Sequence, residues 1–184
     1  MSKVAIFLAE GFEMIEALTV VDVLRRAKHT IDIVSVTGQN TVTSSHGVGI
    51  TADMLLSEVT TDDSYDMLVL PGGMPGTKNL EACDELMAMV DRYNTAGKKI
   101  AAICAAPTVF GHKGYLEGRK ACCYPGMEDQ LEGACVVYDK AITDENITTA
   151  RGMGAAIDFS LEILNVLGDG ETASKIAKSI VYVD

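Results

Sequence analysis

Short apolar, β-prone runs alternate with stretches of helical periodicity along almost the whole chain, and this alternation constrains the fold more than any other feature. Lys3–Leu8 is a β-branched and apolar run, followed by the loop Ala9-Glu10-Gly11-Phe12. Glu13–Lys28 carries apolar residues at helical spacing, and Thr30–Val36 returns to a strand pattern. Thr41–Thr51 holds two β-prone runs around Ser44-Ser45-His46-Gly47, which predicts a hairpin. Met67–Leu70 predicts a strand ending in Pro71-Gly72-Gly73-Met74-Pro75-Gly76, with one helix over Leu80–Ala96. Then come a strand at Ile100–Ile103, a short helix at Pro107–Lys113, and strands at Lys120–Cys123, Val136–Asp139 and Asn146–Thr149. Helices over Ala155–Leu167, closed by Gly168, and over Glu171–Ser179 complete the pattern. Such alternation predicts an α/β fold: a mostly parallel central sheet with helices on both faces. No linker, repeat or low-complexity stretch interrupts it, so 1–184 is read as a single domain.

Charge and cysteine usage narrow the partners. A formal net charge of −11 disfavours nonspecific binding to nucleic acid and to anionic membrane surfaces. No apolar run approaches the ~18 residues that a membrane span needs. Met1-Ser2-Lys3 leads straight into a strand pattern with no signal peptide. The five cysteines are an odd number without CxxC spacing, which fits free thiols in a reducing cytoplasm. Cys122 and Cys123 are neighbours that cannot bridge without strain, and strand alternation would point them to opposite faces. The three histidines, His29, His46 and His112, lack metal-ligand spacing, so no metal site is expected.

Two strand ends carry residues suited to chemistry. Cys104 follows the Ile100–Ile103 run, and Pro107 suits the first turn of a helix just beyond it. A position between the carboxyl end of a strand and the positive end of a helix favours the thiolate. The competing reading is a small buried hydrophobe. Gly72 and Gly73 end the preceding strand, where a ligand could approach the backbone closely and N–H groups could face a developing oxyanion. An ordinary βα turn is the alternative there. In parallel α/β sheets ligands gather at these carboxyl ends.

A carboxylate on the first helix is out of place. Glu16, Val20, Val23 and Ala27 share one helical face, so Glu16 heads an apolar stripe directed at the sheet. Burial there would raise its pKa and keep it protonated. Protonated, it could donate to a thiolate; ionised, it could take a proton from a substrate. Glu10 and Glu13, by contrast, read as ordinary acidic residues at a helix N-terminus.

Four segments in this order, Ala9-Glu10-Gly11-Phe12-Glu13-Met14-Ile15-Glu16, Val69-Leu70-Pro71-Gly72-Gly73, Ala101-Ala102-Ile103-Cys104-Ala105-Ala106-Pro107 and Thr149-Ala150-Arg151-Gly152, resemble the DJ-1/ThiJ/PfpI superfamily, and most of all its DJ-1-like branch. The resemblance runs from Lys3 to the C-terminal helices. It implies a flavodoxin-like three-layer sandwich, usually a homodimer. It further implies Cys104 as the reactive nucleophile, Glu16 as a protonated carboxyl beside it, and the backbone N–H groups of Gly73 and Ala105 as an oxyanion pocket. His46 lies on the hairpin where relatives can place a basic residue near the pocket, and an exposed turn histidine is the competing reading. Arg26 is read as a surface arginine rather than a dimer contact.

The departures from the pattern bear on chemistry. Tyr124, in Cys123-Tyr124-Pro125-Gly126, stands where the branch's namesake has a histidine. A phenol donates a hydrogen bond but is a poor general base, so protons fall to Glu16. The peptidase branch has a histidine directly after its cysteine, where this chain has Ala105, so a cysteine peptidase or hydrolase is the weakest reading. Class I glutamine amidotransferases share the architecture but need a late His-x-Glu, and the last histidine here is His112. The leading expectation is a cofactor-independent enzyme acting on 2-oxoaldehydes such as methylglyoxal (glyoxalase III-like) or on their protein adducts (deglycase-like). The alternative is an oxidative-stress sensor or chaperone-like protein in which Cys104 oxidises to a sulfinate.

Overall fold

The computed structural model describes residues 1–60 and 65–183. Its strands and helices alternate as β1 (Lys3–Leu8), α1 (Met14–Arg26), β2 (Thr30–Ser35), β3 (Thr41–Thr43), β4 (Gly49–Thr51), β5 (Met54–Leu55), β6 (Met67–Leu70), α2 (Gly76–Glu81), α3 (Asp84–Thr95), β7 (Lys99–Ile103), α4 (Pro107–His112), β8 (Lys120–Ala121), β9 (Cys135–Val136), β10 (Ala141–Asp144), β11 (Ile147–Ala150), α5 (Ala156–Val166) and α6 (Gly170–Ser179). A seven-stranded sheet has the order β10-β11-β7-β6-β1-β2-β5. All its pairings are parallel except that of β10 with β11.

Without its two edge strands the sheet reads β2-β1-β6-β7-β11, the flavodoxin-like order, which places the topological switch point between β1 and β6. Alternation along the strands divides the core in two. Val4, Ile6 and Leu8 of β1 pack on the side of α1, α5 and α6, whereas Ala5 and Phe7 pack on the side of α3 and α4. The three layers therefore follow from β-branched strands buried on both faces. Among the described residues, no helix is long and apolar enough to cross a membrane.

Several expected elements differ. The helix expected over Leu80–Ala96 is two helices, α2 beginning at Gly76 and α3 at Asp84. Cys83 is extended at the break, and Asp84 and Glu85 supply negative charge to the new N-terminus. The strands expected at Lys120–Cys123 and Val136–Asp139 shorten to β8 and β9, which pair with each other outside the main sheet. Cys122 and Cys123 thus lie beyond the strand. Cys122 Sγ faces Thr149 Oγ1 at 3.7 Å, while Cys123 joins the core beneath α4. The antiparallel edge strand β10, half-buried and mixed in polarity, has no counterpart in the sequence reading. The hairpin forms as β3 and β4 and is tied to the loop after β1 by Gly11 N–H to Thr43 O (2.8 Å) and Ser45 N–H to Phe12 O (2.8 Å). Gly168, in the left-handed region at φ +85°, ends α5.

Candidate active site

Three neighbouring strands deliver the site at their carboxyl ends. β1 leads into α1 and Glu16, β6 into Gly72-Gly73, and β7 into Cys104. Cys104 has φ +66°, a left-handed conformation that costs a non-glycine residue about 1–2 kcal/mol. Its backbone is held there from both sides: its N–H donates to Ala150 O (2.9 Å), and its carbonyl accepts from Tyr124 N–H (2.8 Å). The turn lifts the side chain off the end of β7 in the manner of a nucleophile elbow. The N–H groups of Gly73 and Ala105 are directed at the sulfur.

Glu16 is fully buried on the apolar face that its spacing predicts, with Val20, Val23 and Ala27 buried below it. Its Oε2 accepts the Gly72 N–H at 3.0 Å. Among the described residues its Oε1 has no hydrogen-bond partner of ordinary geometry, and the Cys104 thiol is the group that couples to it. Gly72 has to be glycine for this approach. A Cβ on it would lie 2.6 Å from both Cys104 Cβ and Glu16 Oε2, inside van der Waals contact.

The electrostatics belong to the pair. Burial raises Glu16 to about 7, against the pull of the thiol and the Gly72 N–H, and Glu13 adds a further upward push. Burial and the Glu16 carboxylate push the Cys104 thiol up to about 12, opposed by the N–H groups of Ala105 and Gly73. Strand end and helix N-terminus, expected to favour the thiolate, are opposed by desolvation and by the Glu16 charge, and α4 is only six residues long. Between about pH 7 and pH 12 the two groups hold one proton and one negative charge between them. A carboxyl whose Oε1 carries that proton toward sulfur leaves a thiolate under two N–H donors. A carboxylate leaves a thiol.

The remaining expected residues divide. The Tyr124 ring reaches the site: the point where a Cβ on Gly152 would sit is 3.4 Å from Tyr124 Cδ2, 3.8 Å from Cys104 Sγ and 4.0 Å from Glu16 Oε1. His46 does not contact the sulfur. It is exposed, with Nδ1 2.9 Å from Ser45 Oγ and 3.7 Å from Glu13 Oε2. Arg26 pairs with Asp22 one turn back on the surface of α1. The other two histidines are engaged elsewhere: His29 between Ser2 N–H and Asp169, His112 with Glu81. No Cys-His pair forms. Among the described residues no group of His, Cys, Asp and Glu is arranged to hold a metal ion.

Gly152 is the residue to which the sequence reading gave no role. It follows β11, and a bare backbone there leaves room between the Tyr124 ring, the sulfur and the carboxyl. The signal was present, since Arg151-Gly152 is another glycine at a strand's carboxyl end.

Comparison with known proteins bears on the whole chain. The profile of the DJ-1/PfpI family matches residues 2–166. Protein DJ-1 homolog B of Arabidopsis thaliana is 40% identical over 181 residues, 97% of this chain and 41% of the plant protein. Its paralogue, Protein DJ-1 homolog A, is 38% identical with 46% of its length covered, so the chain spans less than half of either. Glutathione-independent glyoxalase DJR-1.2 of Caenorhabditis elegans is 28% identical over 93% of this chain and 91% of that protein. The solved structure of oxidized Toxoplasma gondii DJ-1 superposes with a TM-score of 0.95 at 37% identity, covering 100% of both chains.

Proposed function

Because the chain belongs to the DJ-1/PfpI family, we propose that it converts small 2-oxoaldehydes to 2-hydroxy acids at Cys104 without a cofactor, and acts on their early protein adducts by the same chemistry. One arrangement carries this reading: the buried Glu16 carboxyl, whose Oε1 has no other hydrogen-bond partner among the described residues, is coupled to the Cys104 thiol, at which two backbone N–H groups are aimed. A relative named as a glutathione-independent glyoxalase supports it.

The steps balance on these groups. The Cys104 thiolate adds to the aldehyde carbon, a C–S bond forms, and the carbonyl pair moves to oxygen under the Gly73 and Ala105 N–H groups. The Glu16 carboxyl protonates that oxygen to give a hemithioacetal. As carboxylate it removes the hydrogen from the same carbon as a proton, giving an enediol, and returns it to the adjacent carbon while the hydroxyl proton passes to the former ketone oxygen, so the aldehyde carbon is oxidised and the ketone carbon reduced. Water then cleaves the resulting thioester and regenerates the thiol. Purified protein, with neither glutathione nor added metal, is expected to produce lactate from methylglyoxal. Absence of lactate above the protein-free rate contradicts the reading.

The same oxygen beside the same sulfur supports a second reading, a peroxide sensor. Glu16 as carboxylic acid would donate to a Cys104 sulfinate, and a related protein has been solved in oxidised form. Mild peroxide followed by mass mapping separates the two. Stable addition of two oxygens at Cys104 in a protein without aldehyde turnover favours the sensor; scattered oxidation of the cysteines removes it. In either reading the chain is proposed to pair with a second copy through the outer face of α1, where Ile15 is 44% exposed beside Met14 and Leu18. Sedimentation is expected to give twice the 19.6 kDa chain mass, and a monomer at micromolar concentration contradicts it.

A further inference from the structure

Large apolar side chains adjoin the glycines of the site, and the charge coupled to its sulfur is the negative one of Glu16. Tyr124 is 51% exposed, yet its ring edge is one wall of the space that also bears the sulfur and the Glu16 carboxyl. Met74 and Met153 are 46% and 54% exposed, and each follows a glycine of the site, Gly73 and Gly152. A half-exposed tyrosine at the site, and two exposed methionines next in sequence to its glycines, leave large apolar side chains open to a ligand. Methionine sulfur and aromatic faces both favour an aromatic partner. Inside, the charge acting on Cys104 is that of Glu16, and Glu13 acts on Glu16 in turn. His46, the basic side chain of the hairpin, is held against Glu13. A carboxylate or phosphate placed close to the sulfur meets the Glu16 charge, whereas an uncharged substituent can lie against the Tyr124 ring.

Resting on the reading of Cys104 as the nucleophile toward 2-oxoaldehydes, we propose that Tyr124 is a specificity-determining residue whose ring stacks on the substrate's substituent and selects uncharged aryl-bearing 2-oxoaldehydes over methyl-bearing ones. The ring, not the hydroxyl, does the selecting. Its contribution is made equally to bound substrate and transition state, so it acts through KM.

Two readouts test this separately from the reading beneath it. The first is turnover of phenylglyoxal and methylglyoxal by the wild type, Tyr124→Phe and Tyr124→Ala. The phenylglyoxal-to-methylglyoxal ratio of kcat/KM is expected to fall about fivefold in Tyr124→Ala, the worth of one aromatic contact, and to hold in Tyr124→Phe. The fall should lie in KM. The second is the rate of Cys104 alkylation by phenacyl bromide against bromoacetone, each normalised to its rate with glutathione and followed by mass mapping. The same ring-dependent ratio is expected. If aldehydes turn over but neither ratio responds to Tyr124→Ala, the specificity role is wrong and the proposed function stands. If neither aldehyde turns over while the alkylation ratio follows the ring, the proposed function fails and the aryl-selective pocket stands. Loss of the ratio in Tyr124→Phe as well as Tyr124→Ala overturns the assignment to the ring.

Discussion

Cys104→Ala is expected to reduce methylglyoxal turnover by about three orders of magnitude or more, to the rate without protein, because the residue supplies the atom that bonds to substrate. The other four thiols do not share these surroundings: Cys83 is part-buried against the core at the break between α2 and α3. Cys122 and Cys123 are buried, with thiols pushed up to about 11 and about 12 chiefly by desolvation. Cys135 is exposed on β9, and its sulfur faces the Gly118 carbonyl at 3.8 Å. The substitution should leave the fold intact. The hydrogen bonds that hold residue 104 at positive φ are made by its backbone and persist with alanine. Equal unfolding temperatures for variant and wild type, within a few degrees, would separate lost chemistry from lost structure. Retained turnover in a folded Cys104→Ala protein would rule out covalent catalysis at this position.

Glu16→Gln should have the second largest effect, with opposite signs on activity and stability. Glutamine keeps an acceptor for the Gly72 N–H but cannot move a proton, so turnover is expected to fall by about two to four orders of magnitude. For stability, burial raises the carboxyl from 4.5 in the unfolded chain to about 7 in the folded one. A raised acid is held protonated by the fold. Its contribution is therefore complete below pH 4.5 and is lost as pH climbs through 7, by about 3 kcal/mol in all. Glutamine carries no such loss. Urea unfolding should show Glu16→Gln close to wild type at pH 4.5 and more stable than it at pH 8. A variant less stable than wild type by the same margin at both pH values would mean that Glu16 is not a buried acid. The pH rate profile shifts as well: wild-type Cys104 should alkylate faster as pH rises through about 7, where the pair loses its first proton, and the variant should lack that step.

Much of this site was legible in the residues themselves, and the misses have physical causes. β1, β6 and β7 were visible because uninterrupted apolar runs mark strands buried on both faces, and their ends point to the site by the topology of parallel sheets. Glu16 was visible because helical spacing put a carboxylate where only apolar side chains belong. The break at Cys83 was not, because Leu80, Cys83 and Met87 continue an apolar face at helical spacing across it. Nor was β10, whose mixed, half-buried side chains cover a sheet edge rather than fill a core. Helix ends near Cys104 are local and readable in sequence, whereas the burial and the Glu16 charge that oppose its thiolate arise only when three strand ends meet. Gly152 went unassigned for a related reason, since its part is to leave space for groups from three other segments.

The covalent intermediate offers the most direct test. Wild-type protein quenched in acid during steady turnover of methylglyoxal, then digested and mapped, should carry one substrate equivalent on the Cys104 peptide. That adduct should decay at the rate at which lactate appears once free aldehyde is removed, and it should be absent at this position in Cys104→Ala. Lactate formed at an undiminished rate while the Cys104 peptide stays unmodified, or an adduct there that persists after lactate formation ends, would contradict the account.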